Sequence, residues 1–233
     1  MAADIALNPN PHIEIWKFGH DNEPVFIADN VLADPDALLA SARMDSFGAP
    51  PQKSWYPGLV APVPDLYRKI VLDVLRRPMA QVFGMHPDYN AGSYGFFGLT
   101  TQGPDDMSPN QVAPHTDTHR LHSFATVHYL SHGDFGGTAF YRHKSTGFEL
   151  ITPSRSAKFA HFRRQELAER AGKPLSEIRD LYEEIAYVEP RFNRLILYRA
   201  GQLHCAKMGE GIQLSKDPAA GRLTANLFFN SEG

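Results

Sequence analysis

Cysteine is nearly missing from these 233 residues: Cys205 is the only one. A lone thiol cannot close an internal disulfide, and it excludes a metal site built on several thiolates. Long apolar runs are missing too. No stretch approaches the roughly eighteen residues that a membrane span needs, and the opening segment MAADIALNPN has neither the basic nor the apolar region of a signal peptide. A cytoplasmic protein that does not engage a membrane is the expectation. Nor is there a block of one charge, since 23 Lys and Arg stand against 26 Asp and Glu for a formal net charge of −3. With no basic run to neutralise phosphates, a dedicated nucleic-acid partner is disfavoured as well.

What is present points to a folded, turn-rich enzyme-sized chain. Hydrophobic residues make up 42% and charged residues 21%, and Gly and Pro number 18 each. No linker, repeat or phosphate-cradling glycine loop interrupts the chain. It reads as one domain over 1–233, with helical and strand support in 1–87 and a β core over about 88–230. Histidine is abundant, with 11 copies, and His115, His119, His122, His128, His132 and His143 crowd together near the middle.

Short β-prone runs cover 12–18 and 24–32. A helix is predicted from 34 to 47, where Asp34 caps and Pro35 opens the first turn. The proline-rich stretch 48–64, with Trp55 and Tyr56, reads as a loop packed on the domain. The stripe Leu66, Ile70, Val71, Val74 and Leu75 predicts a helix over 64–83 that Pro78 kinks or ends. Strands are predicted at 89–99, 122–130 and 137–143, helices in two pieces over 161–186, and strands again at 191–201 and 222–229. Strand and helix do not alternate regularly, so a doubly wound sheet is unfavoured. A mainly β fold with flanking helices, an antiparallel sandwich or barrel, fits better.

The most informative segment is Pro114-His115-Thr116-Asp117-Thr118-His119. In extended chain, residues i and i+2 point the same way, so His115 and Asp117 can offer a nitrogen and an oxygen to one ion. His204 follows the apolar strand and Gly201, where a rigid strand end fixes its direction. Two histidines and a carboxylate, with open positions left on an octahedral ion, make the ligand set of non-haem Fe(II) oxygenases.

These motifs, taken in order, resemble the 2-oxoglutarate/Fe(II)-dependent oxygenases. The order is His115-x-Asp117, then Gly136-Gly137-Thr138-Ala139-Phe140, then Asn193-Arg194-Leu195-Ile196-Leu197-Tyr198 running into Leu203-His204, then Gly221-Arg222-Leu223-Thr224-Ala225-Asn226-Leu227-Phe228-Phe229. The chain is most similar to the prolyl-hydroxylase-like branch, and it also resembles uncharacterised bacterial proteins found alongside tryptophan halogenases. The resemblance spans roughly 90–230. It implies a double-stranded β-helix (jelly roll) holding Fe(II) on His115, Asp117 and His204, with 2-oxoglutarate and O₂ as co-substrates. Arg222 would grip the distal carboxylate of 2-oxoglutarate, helped by Thr224. A guanidinium fork suits a carboxylate, and i and i+2 share a face, so the physics agrees. Tyr129, His128 and Asn226 are further co-substrate candidates, but which face of strand 122–130 looks inward is not readable. The implied reaction is hydroxylation coupled to decarboxylation of 2-oxoglutarate. Halogenating relatives lack the carboxylate ligand, so the presence of Asp117 disfavours halogenation. The branch resembled suggests a peptidyl or amino-acid-like substrate.

One spacing departs from the family. Arg222 follows His204 by 18 residues where about ten are usual, so either 206–220 bulges outward and Arg222 returns to register, the favoured reading, or the carboxylate is held differently. Smaller expectations are that His119 lies behind the ligands, that His132 and His143 sit in loops or at the rim, and that Arg142 faces an anionic substrate or solvent. Tyr94, Phe96 and Phe97 are read as cleft or core aromatics, and Cys205 as a buried small hydrophobe. Two other functions are compatible with the same ligands. A metal-dependent hydrolase or cupin-like enzyme would turn Arg222 away from the metal, and a metal-bearing binding or sensing module would fill the co-substrate pocket.

Overall fold

The computed structural model describes residues 5–52, 54–86, 91–209 and 211–231. Strands β1 (His12–Phe18) and β2 (Glu23–Asp29) open the chain, followed by helix α1 (Pro35–Ser41), strand β3 (Gly58–Pro62) and helix α2 (Asp65–Phe83). Then come β4 (Ala91–Thr100), the short α3 (Pro109–Val112), β5 (Ser123–Tyr129) and β6 (Gly137–His143). Helices α4 (Pro153–Glu169) and α5 (Ser176–Arg179) precede β7 (Tyr182–Val188), β8 (Arg194–Arg199), β9 (His204–Lys207) and β10 (Arg222–Ser231). A seven-stranded sheet runs β1-β2-β8-β5-β10-β4-β3, and a three-stranded sheet runs β7-β6-β9. Every pairing is antiparallel. Among the described residues, no helix is long and apolar enough to cross a membrane.

The large sheet owes its two characters to strict alternation. On β10, Leu223, Ala225, Leu227 and Phe229 point to one side, where they join Phe97, Leu99, Phe124 and the buried stripe of α2 in a single apolar cluster. That stripe is Tyr67, Val71, Leu75, Met79 and Phe83, one residue per turn. Burying side chains of this size contributes about 1.5–3 kcal/mol each, which fixes the register of every strand involved. The opposite face of β10 carries Arg222, Thr224, Asn226 and Phe228. It looks toward the small sheet, through Ala125, Tyr129, Ile196 and Tyr198 against Phe140 and Val188.

Three expectations are corrected. Pro78 does not end α2, which runs through it to Phe83 and a left-handed cap at Gly84. Val74, whose carbonyl loses its partner at Pro78, is on the exposed side, where water can serve it. The helix expected from 161 starts at Pro153, a favoured first helical position. Residues 182–186, expected as helix, belong to strand β7, because pairing with β6 overrides the helix propensity of Glu183 and Glu184. Strands β3 and β9 arise within segments expected as loops.

Candidate metal centre

The chain around His115 lies against the turn that ends β8. His115 and His204 exchange both backbone bonds (2.9 and 3.0 Å), and the Asp117 amide donates to the Ala200 carbonyl at 2.8 Å. This two-residue ladder puts the three side chains on one side, and one ligand atom from each lies within 4.8 Å of the others. His115 Nε2 and His204 Nε2 are each 3.8 Å from an Asp117 carboxylate oxygen. Bonds of about 2.1 Å would place adjacent ligand atoms about 3 Å apart, so small side-chain movements close the set on an ion.

His204 Nδ1 donates to the Gln202 carbonyl at 2.9 Å, which presents Nε2 to the shared centre. Tyr198 packs its ring against His204 at 4.7 Å, and Phe140 lies beyond it. His204 is 7% exposed, whereas His115 keeps 47% of its side chain open, so the centre is reached from the His115 side. Crowding of its ring by the surrounding chain, with the charges of His204 and Arg163, pulls His115 below its usual range although one side of the ring stays open, and it offers a neutral nitrogen. Burial raises the Asp117 carboxyl against the opposing pull of His204. A divalent cation would reverse that effect, because ligand oxygens must be ionised.

The co-substrate candidates fall on both faces of the large sheet. Register aligns Thr224 with Gly98 and Tyr129, and Arg222 with Thr100, in adjacent rows of the inner face. Between β9 and β10 the described residues form no strand, and Arg222 enters β10 in register despite the long spacing. Arg222 is 5% exposed, and its guanidinium donates to the Gly136 carbonyl (3.4 Å) and to Thr100 Oγ1 (3.2 Å). Among the described residues, no carboxylate pairs with it. Asn226 Nδ2 donates to Thr224 Oγ1 at 3.0 Å. Tyr129 meets Thr138 hydroxyl to hydroxyl at 2.7 Å, and burial lifts its phenol to about 12. On β6, Thr138 precedes Phe140 by two residues, and Phe140 pairs with His204. At about 3.4 Å per residue, the hydroxyl patch begins about 7 Å along the strand from the metal ligand.

His128 is the exception. It points to the helical side, bonded to the Tyr67 hydroxyl (3.0 Å) and to Asn193 Oδ1 (3.1 Å), and it takes no part in the site. His143 is also not at the rim: it is fully buried and ties β6 to α4 through Glu166 at 2.7 Å. Arg142 is paired with Glu149 and Glu183, which leaves it no free anion site. Phe97 belongs to the helical side, while Tyr94 and Phe96 stack with Phe228 on the inner face. His132 stacks on Phe192 away from the ligands. The Cys205 thiol is buried and pushed up to about 11, an inert state.

Tyr56 and Thr100 were not foreseen. Tyr56 reaches the inner face from the proline-rich segment, its hydroxyl 3.1 Å from Thr100 Oγ1. The sequence held one signal, a glycine within strand β4. A Cβ at Gly98 would overlap the Tyr56 phenol.

The profile of a family of unknown function, DUF6445, matches residues 9–229. The chain belongs to that family. No curated protein matches its sequence. Among solved structures it is similar to HygX from Streptomyces hygroscopicus with nickel, 2-oxoglutarate and hygromycin B bound. The TM-score is 0.47 and the identity 11%, over 91% of this chain and 84% of that one. An N-substituted L-amino acid dioxygenase from Burkholderia ambifaria AMMD gives 0.41 and 9% over the same shares. Both likenesses are distant.

Proposed function

We propose that this protein is a non-haem Fe(II)- and 2-oxoglutarate-dependent dioxygenase that hydroxylates a small-molecule or peptidyl substrate. The two facing sheets are read as a double-stranded β-helix of the prolyl-hydroxylase-like branch. The observation that carries the proposal is Arg222: a buried guanidinium with no carboxylate partner among the described residues, on the same inner face as the side chains packed around a His-Asp-His cluster. A buried cation with no counter-ion is costly, and an incoming dianion relieves that cost. The distance between the hydroxyl patch and the ligands suits the length of a five-carbon diacid.

In this reading His115, Asp117 and His204 hold the metal and leave adjacent positions open. The chemistry supplied there is decarboxylation of 2-oxoglutarate to succinate and CO₂, with O₂ hydroxylating the second substrate. Arg222 clamps the distal carboxylate, and Thr224, Tyr129 and Asn226 order the polar groups around it. The inward position of Arg222 also supports this reading over a hydrolase that ignores 2-oxoglutarate. Tyr94 is 54% exposed and stacked on Phe228, and it senses the charge of Asp117. It offers a wall for the second substrate beside the metal.

Succinate release on mixing protein, Fe(II), 2-oxoglutarate and O₂ tests the proposal. The expected outcome is slow uncoupled succinate formation that disappears in Asp117→Ala and His204→Ala. Metal-loaded wild-type protein that forms no succinate would overturn it.

A further inference from the structure

Helices α4 and α5 occupy the link between β6 and β7, and α4 brings a cation to the side from which the metal centre is reached. Phe159 of α4 packs in one apolar cluster with Ala113, two residues before His115, and with Leu203, the residue before His204. Arg163 follows Phe159 by four residues, so it projects from the same face of the helix one turn further on. Its Nη2 donates to Asn110 Oδ1 of α3 at 3.2 Å, and α3 leads through Ala113 and Pro114 into His115. The charge of Arg163 reaches His115, the ligand whose side chain is 47% open.

Among the described residues, no carboxylate pairs with Arg163. The Asn110 amide oxygen and the buried phenol of Tyr182 beside it are both neutral. Glu166, three residues on, is engaged instead by His143 at 2.7 Å and by Ser145. Arg155, two turns earlier on α4, is by contrast paired with Asp21 at 2.6 Å. Arg163 is half-buried, and a partly desolvated guanidinium with no counter-ion draws an anion. Asn110 turns its oxygen to Arg163, so its amide nitrogen is left as a further donor at the same spot. One fork and one amide match the two oxygens of a carboxylate, where a phosphate would leave oxygens unserved. Beside Asp117 stands Tyr94, 54% exposed and stacked on Phe228 at 4.9 Å. The approach to the ligands thus has a cation near His115 and an aromatic surface near Asp117.

We propose that the second substrate is a carboxylic acid with an apolar or aromatic body, held by its carboxylate on Arg163 and Asn110 while the body lies on Tyr94 and Phe228. This rests on the dioxygenase reading above and goes beyond it in assigning the substrate's charge and its anchor. Arg163 sets which molecule is accepted and takes no part in holding 2-oxoglutarate, which belongs to Arg222. The selecting group is then supplied by the helical insertion between β6 and β7, outside both sheets.

Calorimetry without oxygen, on protein loaded with Fe(II) and saturated with 2-oxoglutarate so that Arg222 is occupied, tests this. The probes are phenylacetate, 3-phenylpropanoate and cyclohexylacetate, each compared with its neutral primary amide. At least one acid should bind about tenfold or more tighter than its amide, the effect of hydrogen bonds to a charged group. Arg163→Gln should remove that preference and leave 2-oxoglutarate affinity and melting temperature unchanged, while Arg163→Lys should keep part of the preference. Three results would overturn the proposal while the dioxygenase reading stands: no acid binds, acids and amides bind equally to wild type, or the preference survives Arg163→Gln. A loss of 2-oxoglutarate affinity in Arg163→Gln would overturn it too, because Arg163 would then serve the co-substrate. Wild-type protein that binds no 2-oxoglutarate would instead sink the dioxygenase reading, and this proposal with it.

Discussion

The two faces of the large sheet differ more than any two strands do. The helical face is largely apolar and closed, and the buried His128 on it has both ring nitrogens bonded to Tyr67 and Asn193. The inner face one residue away carries Tyr129, Thr224 and Arg222, with more donors than acceptors. Polar groups paired with each other hold a fold together, while a buried guanidinium bonded only to neutral oxygens keeps its charge for an anionic ligand. Along β10 the sequence RLTANLFF alternates between these two roles at every step.

Mutations should separate the faces. Phe229, fully buried on the helical side, should cost about 3–5 kcal/mol of unfolding free energy when changed to alanine. Urea denaturation checks this, and the folded fraction should still bind 2-oxoglutarate normally.

His128 offers the next largest effect. Burial holds it at about 4, below its usual 6.5, against the opposing pull of Asn193. Above pH 6.5 it is neutral both folded and unfolded, so it adds no pH dependence there. As pH falls from 6.5 to 4 the unfolded chain takes up a proton that the native state refuses, and stability drops. The loss approaches about 3 kcal/mol near pH 4 and then levels. Denaturation across that range should show a slope in wild type that is one proton smaller in His128→Gln.

On the inner face the pattern reverses. Arg222→Met should raise the 2-oxoglutarate requirement about a hundredfold, with urea stability unchanged or increased, because an unpaired buried charge is removed. Thr224→Val should be smaller, a several-fold rise in the dissociation constant with stability within about 1 kcal/mol. Losses of stability in these two that match Phe229→Ala would erase the distinction between the faces.

How far this could be read from the sequence follows from the same alternation. Period-two patterning on β10, and apolar continuity on β8, revealed strands and placed Arg222 with Thr224. The i, i+2 spacing of His115 and Asp117 was enough to pair them. Patterning could not say whether His128 or Tyr129 looks inward, because both neighbours alternate polar and apolar residues. That choice is made by α2, whose Tyr67 supplies the partner for His128. Strand β7 was missed because its pairing with β6 spans some forty residues and overrides local preference. Tyr56 was missed for a related reason: only the packed sheet brings it to Gly98.

The central proposal is that His115, Asp117 and His204 hold Fe(II) while Arg222, on the inner face of the large sheet, holds the distal carboxylate of 2-oxoglutarate. Anaerobic titration of 2-oxoglutarate into the Fe(II)-loaded protein, followed by visible absorption, tests it most directly. A weak charge-transfer band saturating at one 2-oxoglutarate per iron is predicted. It should be absent in His204→Ala and reached only at much higher 2-oxoglutarate in Arg222→Met. Iron bound at one equivalent with no such band at any 2-oxoglutarate concentration would contradict the account.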